Sequence, residues 1–275
     1  MIEIPEAINL SKQFNKKIKG KTIKKIITGY TPHKFTWFFG KKDNYQKMLQ
    51  NKKIGETTYF GGYVETSIDN MKLLFHEGIN LRYIEDKSKI PEKHQILIEF
   101  TDGTYLYGVT RMYGGIGCFI ENTLDNKYYK MAKEKPHPLS KDFNEKYYNE
   151  LITDENVQKL SIKAFLATEQ RIPGLGNGIL QDILYNAKVH PKHNVKDLTK
   201  KQKKDIFNSI KNTLQDMTDK NGRDSEKDLF SKTGNYICKV CKNTVGKNCK
   251  ICNSKIEKVN YMGGSIYYCS NCQKI

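Results

Sequence analysis

The chain has 275 residues, of which 37% are hydrophobic and 28% charged, with a formal net charge of +17. That length predicts about two domains of roughly 150 residues each, enough to bury real cores. It holds no apolar run of roughly 18 residues that would cross a membrane, and Met1-Ile2-Glu3-Ile4-Pro5-Glu6 lacks the basic opening of a secretory signal, so a cytoplasmic protein is expected.

The first predicted element is a helix over residues 5–19, where Ala7, Ile8, Leu10, Phe14 and Ile18 recur at helical spacing before Gly20. Short β-rich runs follow at 23–27, 57–68, 72–76, 95–100 and 105–109, punctuated by Asp69-Asn70 and Asp102-Gly103. Together they predict a β-sandwich domain over 1–129. The charged stretch 130–138 holds two of the seven prolines and reads as a linker. Beyond it, helical periodicity at 142–150, 154–167, 176–187 and 199–218 predicts a helical domain over 139–229, with a metal module at 230–275.

The positive charge predicts a polyanionic partner, because phosphate neutralisation by Lys and Arg dominates sequence-independent nucleic-acid affinity. An AT-rich codon bias towards Lys, Asn, Ile and Tyr accounts for part of it. Only four arginines, Arg82, Arg111, Arg171 and Arg223, stand against 43 lysines. Where Lys has displaced Arg so freely, a remaining Arg marks a place for a planar, multiply donating cation.

Six of the seven cysteines lie in the last 38 residues. Cys249 and Cys252 form one CxxC, and after sixteen intervening residues Cys269 and Cys272 form another. In a chain without an export signal such pairs read as metal ligands, and two CxxC knuckles at this separation suit tetrahedral zinc. Cys238 and Cys241 form a third pair. They are either spare thiols or partners of Cys249 and Cys252 across a seven-residue loop.

The segment Glu169-Gln-Arg-Ile-Pro-Gly-Leu-Gly-Asn-Gly178 ends one helix and opens the next. Free backbone amides there would suit a phosphate, with Asn177 adding a side-chain donor; a plain helix–helix turn would use the same glycines.

Pro173-Gly-Leu-Gly-Asn-Gly178, followed by Leu-Tyr-Asn-Ala-Lys-Val-His-Pro at 184–191, resembles the helix-two-turn-helix of the formamidopyrimidine-DNA glycosylase / endonuclease VIII family. Tyr267-Tyr-Cys-Ser-Asn-Cys-Gln273 resembles that family's zinc finger, Glu3-Ile-Pro-Glu6 its N-terminus, and His137-Pro-Leu-Ser140 with Phe143 its linker. The resemblance implies an α+β fold: an N-terminal β-sandwich with a leading helix, then a helix-two-turn-helix domain with a C-terminal four-cysteine zinc finger. DNA would lie in the cleft, and a damaged base would be flipped out and excised.

By this resemblance Glu3 is the assisting carboxylate, with Glu6 beside it. The family's nucleophile is an N-terminal proline amine; here the position holds Ile2, and Met1, which precedes a large residue, is expected to stay. A family lysine falls at Gly62 and a phosphate-gripping arginine at Gly264. Ile79, Arg111 and Tyr113 map to the wedge that fills the gap left by the flipped base, and Lys163 and Asn177 to phosphate contacts. The expectation is a monomeric DNA-repair protein that removes a damaged base, with a doubtful lyase step. The alternatives are a non-catalytic binder of bent or damaged DNA, or an RNA or ribosome binder that kept the scaffold.

Overall fold

The computed structural model describes all 275 residues. It opens with α1 (Ile4–Lys17), where Pro5 occupies the first turn and the Glu6 carboxylate accepts the Glu3 amide at 3.3 Å. The apolar positions of α1 divide between two cores. Ala7, Leu10 and Phe14 pack into the sandwich, while Ile4 and Ile8 pack into the helical half, so the helix is shared by both.

The strands are β1 (Ile23–Thr28), β2 (Thr36–Phe39), β3 (Thr57–Phe60), β4 (Tyr63–Ile68), β5 (Met71–Ile84), β6 (Ile96–Phe100) and β7 (Tyr105–Ile120), with the short α2 (Tyr45–Leu49) after β2. They pair in the order β1-β6-β7-β5-β4-β3, and β2 lies parallel against β7. The long strands β5 and β7 carry both layers. β6 and β1 extend from the start of β7, while β4 and β3 extend from the start of β5. A bulge between Glu77 and Ile79, with Glu77 at φ 60°, breaks the register midway along β5 and bends it. Ile23 and Ile98 from one layer meet Val64, Ile68 and Leu73 from the other in one core.

The second half holds α3 (Lys127–Glu134), α4 (Glu145–Thr153), α5 (Ile162–Ala167), α6 (Leu180–Asn186) and α7 (Lys200–Asp219). The stretch expected as a linker thus begins as α3, whose Tyr129 and Ala132 pack on the sandwich. The helix expected over 154–167 is broken: a 3-10 turn at Glu155–Val157 precedes α5, which Ser161 caps by accepting the Ala164 amide at 3.2 Å. The run expected as one strand at 57–68 is a hairpin, β3 and β4, turning at Gly61-Gly62. At the C-terminus β8 (Ile256–Tyr261) and β9 (Gly264–Cys269) form a second hairpin. Its two turn residues, Met262 at φ 51° and Gly263 at φ 69°, fit the type I′ turn that matches strand twist. No helix is long and apolar enough to cross a membrane.

Candidate nucleic-acid interface and active site

The chain start is threaded between the two halves. The Ile2 amide donates to the Glu77 carbonyl at 2.6 Å and the Ile4 amide to the Gly174 carbonyl at 3.2 Å. Ile2 itself is buried in the sandwich core. These anchors fix Glu3, whose two carboxylate oxygens accept the Gly178 and Ile179 amides, both at 2.8 Å. The Pro173–Gly178 turn expected to bind phosphate therefore points its last amide, together with that of Ile179 just after it, at a carboxylate of the same chain.

Arg223 completes the cluster. Its Nε and Nη2 donate to Glu6 at 3.0 and 2.8 Å, and its Nη1 lies 3.2 Å from Glu3 Oε2. All three side chains are buried. Burial raises the Glu6 pKa, but the Arg223 charge and hydrogen bonds outweigh it and hold the carboxyl below its ordinary range. At Glu3 burial dominates: the pKa is raised, with the Glu6 charge adding to the rise and Arg223 and the Gly178 amide opposing it. Burial disfavours the Arg223 cation, yet Glu3 and Glu6 reverse this and raise its pKa well above the ordinary value. The Met1 ammonium is ion-paired with Glu226.

This cluster sits in a cleft of about 840 Å³ between the sandwich and the helical half. Met1, Glu3, Tyr63, His76, Glu77 and Tyr113 line it on one side, with Lys163, Gly176 and Asn177 on the other and Met262 to Ser265 of the C-terminal hairpin closing one end. Burial pushes His76 down to about 4 and Glu77 up to about 7. Sequence reasoning missed both, as well as Glu226. It had marked Arg223 only by the scarcity of arginine.

At the C-terminal end the Sγ atoms of Cys249, Cys252, Cys269 and Cys272 all lie within 4.8 Å of one another. The pairs Cys252–Cys269 and Cys249–Cys272 are 3.3 and 3.8 Å apart. Tetrahedral thiolates about 2.3 Å from one zinc would be roughly 3.8 Å apart, so the donor set fits such an ion. Cys238 and Cys241 lie outside this group. Cys238 is buried in the helical core with Cys241 packed against that core, so the alternative pairing with Cys249 and Cys252 is not the one formed.

The family model for the formamidopyrimidine-DNA glycosylase H2TH domain matches residues 135–227. Over full length the chain is 29% identical to the formamidopyrimidine-DNA glycosylase of Mycoplasmopsis pulmonis, covering 100% of this chain and 98% of the relative. It is 27% identical to that of the Wolbachia of Brugia malayi, covering 99% and 100%. Among solved structures it is similar to a Lactococcus lactis Fpg variant in complex with Fapy-dG-containing DNA, at TM-score 0.83, 25% identity and coverage of 99% and 100%. It is likewise similar to the wild-type Lactococcus lactis Fpg (MutM) with DNA containing an oxidised pyrimidine, at TM-score 0.81, 25% identity and the same coverage. The chain is thus similar along its whole length to formamidopyrimidine-DNA glycosylases, and residues 135–227 form their H2TH domain.

The positions that the glycosylase resemblance singled out divide into three groups. Lys163, Asn177 and Gly264 converge: a Cβ on Gly264 would lie 3.6 Å from Asn177 Nδ2 and 3.7 Å from Lys163 Nζ. Lys163 donates to the Tyr261 carbonyl and Asn177 to the Ser265 carbonyl at 3.1 Å, so both brace the hairpin at the end of the cleft. Arg111 and Tyr113 also line the cleft, with Arg111 exposed. Ile79 does not join them. It is 2% exposed and packed in the sandwich core, so the wedge expected there has no side chain in the cleft. The exposed apolar residue beside Arg111 is Met112, at 63% exposure. Gly62, where the glycosylase family carries lysine, has no room for a side chain as placed: a Cβ would sit 2.9 Å from the Ile2 carbonyl oxygen.

Proposed function

We propose that this protein binds damaged or distorted duplex DNA and hydrolyses the N-glycosidic bond of a damaged base, without efficient strand cleavage. The observation that carries this reading is Glu3, held by the Gly178 and Ile179 amides and by Arg223 in a cationic cleft between the two halves. Relatives of this fold are seen with lesion-containing DNA. A carboxyl in that place can assist water attack on an oxocarbenium-like sugar, and burial raises its pKa, which favours the protonated form able to donate to a leaving base. Strand cleavage by an amine route needs a free N-terminal amine at the sugar carbon. Here that nitrogen belongs to Met1, one residue beyond the family's position, and it is engaged in an ion pair with Glu226. The four clustered cysteines would hold one zinc, which supplies structure to the hairpin carrying Met262 to Ser265 and takes no part in chemistry.

A second reading, a binder without chemistry, draws on the same cluster, since both oxygens of Glu3 are already hydrogen-bonded. Duplexes carrying an oxidised purine, an oxidised pyrimidine or an abasic site separate the two. Release of a base, with strand breakage only after alkali, is the expected result. Tight lesion binding with no base released from any substrate would leave the binder, and an RNA competitor that displaces the DNA at equal concentration would point to the ribosomal alternative.

A further inference from the structure

Phe35, just before β2, alternates with Trp37 and Phe39 within it, so the three share one face. Phe35 and Trp37 are 48% and 46% exposed, although their backbone is fixed: the Gly114 amide donates to the Phe35 carbonyl at 3.0 Å, and Thr36 Oγ1 bonds Thr110 Oγ1 at 2.7 Å. The rings stay bare because of what lies beside them. In the parallel pairing with β7, Trp37 is registered with Gly115 and Phe39 with Gly117, so the β7 positions directly beside these two rings carry no side chain. The face is continuous with the cleft, since the Trp37 ring lies 6.1 Å from that of Tyr113 and Phe39 lies 5.5 Å from His76. Exposed Lys34, Lys41 and Lys42 flank it, with Lys34 Nζ 5.4 Å over the Phe35 ring.

Rigid, exposed aromatic faces beside lysines, at the lip of a cationic cleft, match the chemistry that stacks unpaired nucleobases while holding their phosphates. We infer that Phe35 and Trp37 form a stacking platform for an unpaired base of the strand leaving the cleft, so that the protein engages single-stranded DNA as well as distorted duplex. This deepens the DNA-binding reading above and rests on it, but it needs no catalysis.

Trp37 is the sole tryptophan, so its emission reports on its own stacking. The full-length, metal-loaded protein is titrated with a single-stranded oligo-dT of about 12 nucleotides, within the site sizes of such grooves, and with a matched duplex at the same salt. The expected result is quenching of Trp37 by oligo-dT. Measured by anisotropy of labelled DNA, Trp37→Leu should weaken single-strand binding about fivefold or more, while Trp37→Phe restores most of it and duplex affinity changes less. Far-UV circular dichroism of both variants checks that they fold. Single-strand binding with unchanged emission, or unaltered by Trp37→Leu, overturns the platform alone. Failure to bind either DNA overturns the platform together with the DNA-binding reading.

Discussion

The guanidinium of Arg223 meets Glu6 edge-on, through Nε at 3.0 Å and Nη2 at 2.8 Å, and spends its remaining nitrogen on Glu3 at 3.2 Å. One buried cation is thus shared by two buried carboxyl groups from the start of the chain. Breaking a buried pair by removing one partner leaves uncompensated charge, at a cost of about 3–5 kcal/mol. Arg223→Met should therefore lower unfolding free energy by about that much at pH 8. The loss should shrink at pH 5, because protonation of the stranded carboxyls relieves it. Arg223→Lys keeps the charge but not the edge-on pair, and should fall between. Denaturant melts at the two pH values check this; equal losses at both would show that the carboxylates do not depend on Arg223.

The nucleophile position yields a second expectation. Retention of Met1 moves the amine out by one residue, up to ~3.6 Å of chain, whereas an attacking atom must lie within about 3–3.5 Å of its target. Intact mass should show Met1 retained, and borohydride should trap little or no protein on abasic DNA. Glu3→Gln should abolish base excision while leaving affinity for abasic duplex unchanged. Efficient trapping by the wild type would restore the lyase step.

Glu77 gives a pH dependence whose sign can be worked out. Burial raises its pKa from 4.5 to about 7, so the folded state binds the proton more tightly than the unfolded one. The stability tied to that proton is fully present below pH 4.5 and is lost as pH rises through about 7. The side chain keeps 35% of its exposure, so solvent reduces the effect to about 1 kcal/mol. Glu77→Gln should match the wild type at pH 4 and exceed it by about that amount at pH 8. A constant difference across this range would show that Glu77 is not the titrating group.

How far the sequence could be read depended on whether a signal was local. Cys249, Cys252, Cys269 and Cys272 were legible because CxxC spacing fixes knuckle geometry with little help from the rest of the fold. The 57–68 and 105–109 stretches were misjudged in extent because glycines hide strand boundaries: Gly61-Gly62 is a turn, whereas Gly114, Gly115 and Gly117 lie within β7. Ile79 was placed by motif order, but the bulge after Glu77 determines which way β5 side chains face, and that depends on pairing with β7. The scarcity of arginine was informative about chemistry rather than location. Arg82 and Arg171 bond backbone carbonyls, Arg223 bonds buried carboxylates, and only Arg111 faces the cleft exposed. The contact of Arg223 with Glu6 spans 217 residues, beyond any local pattern.

The cysteine cluster predicts what metal removal does. Freshly purified protein should carry one zinc per chain. Cys272→Ser should lower metal content and loosen the hairpin, weakening DNA binding because Met262 to Ser265 close the cleft. Cys241→Ser should leave metal content unchanged, and loss of metal in that variant would contradict the ligand assignment.

The two glycines at family cation positions should respond in opposite ways when the cation is put back. Around Gly264 a Cβ meets only Asn177 Nδ2 at 3.6 Å and Lys163 Nζ at 3.7 Å, ordinary contact distances, and the backbone is not left-handed. An arginine there can extend into the cleft. It would add a phosphate contact beside Lys163 at the cost of some like-charge repulsion. Gly264→Arg should therefore tighten binding to abasic duplex by roughly fivefold, on the order of 1 kcal/mol for a charge-assisted bond partly offset by that repulsion, and steepen its salt dependence by about one phosphate. At Gly62 a Cβ would come within 2.9 Å of the Ile2 carbonyl oxygen, which belongs to the chain start that positions Glu3. Gly62→Lys has to displace that backbone, costing about 1–3 kcal/mol as overpacking does. It should lower stability and any base excision despite adding the cation the family uses. Salt-titrated binding isotherms and thermal melts of both variants test the pair, and a stable, more active Gly62→Lys would show that the chain start yields more readily than its contacts imply.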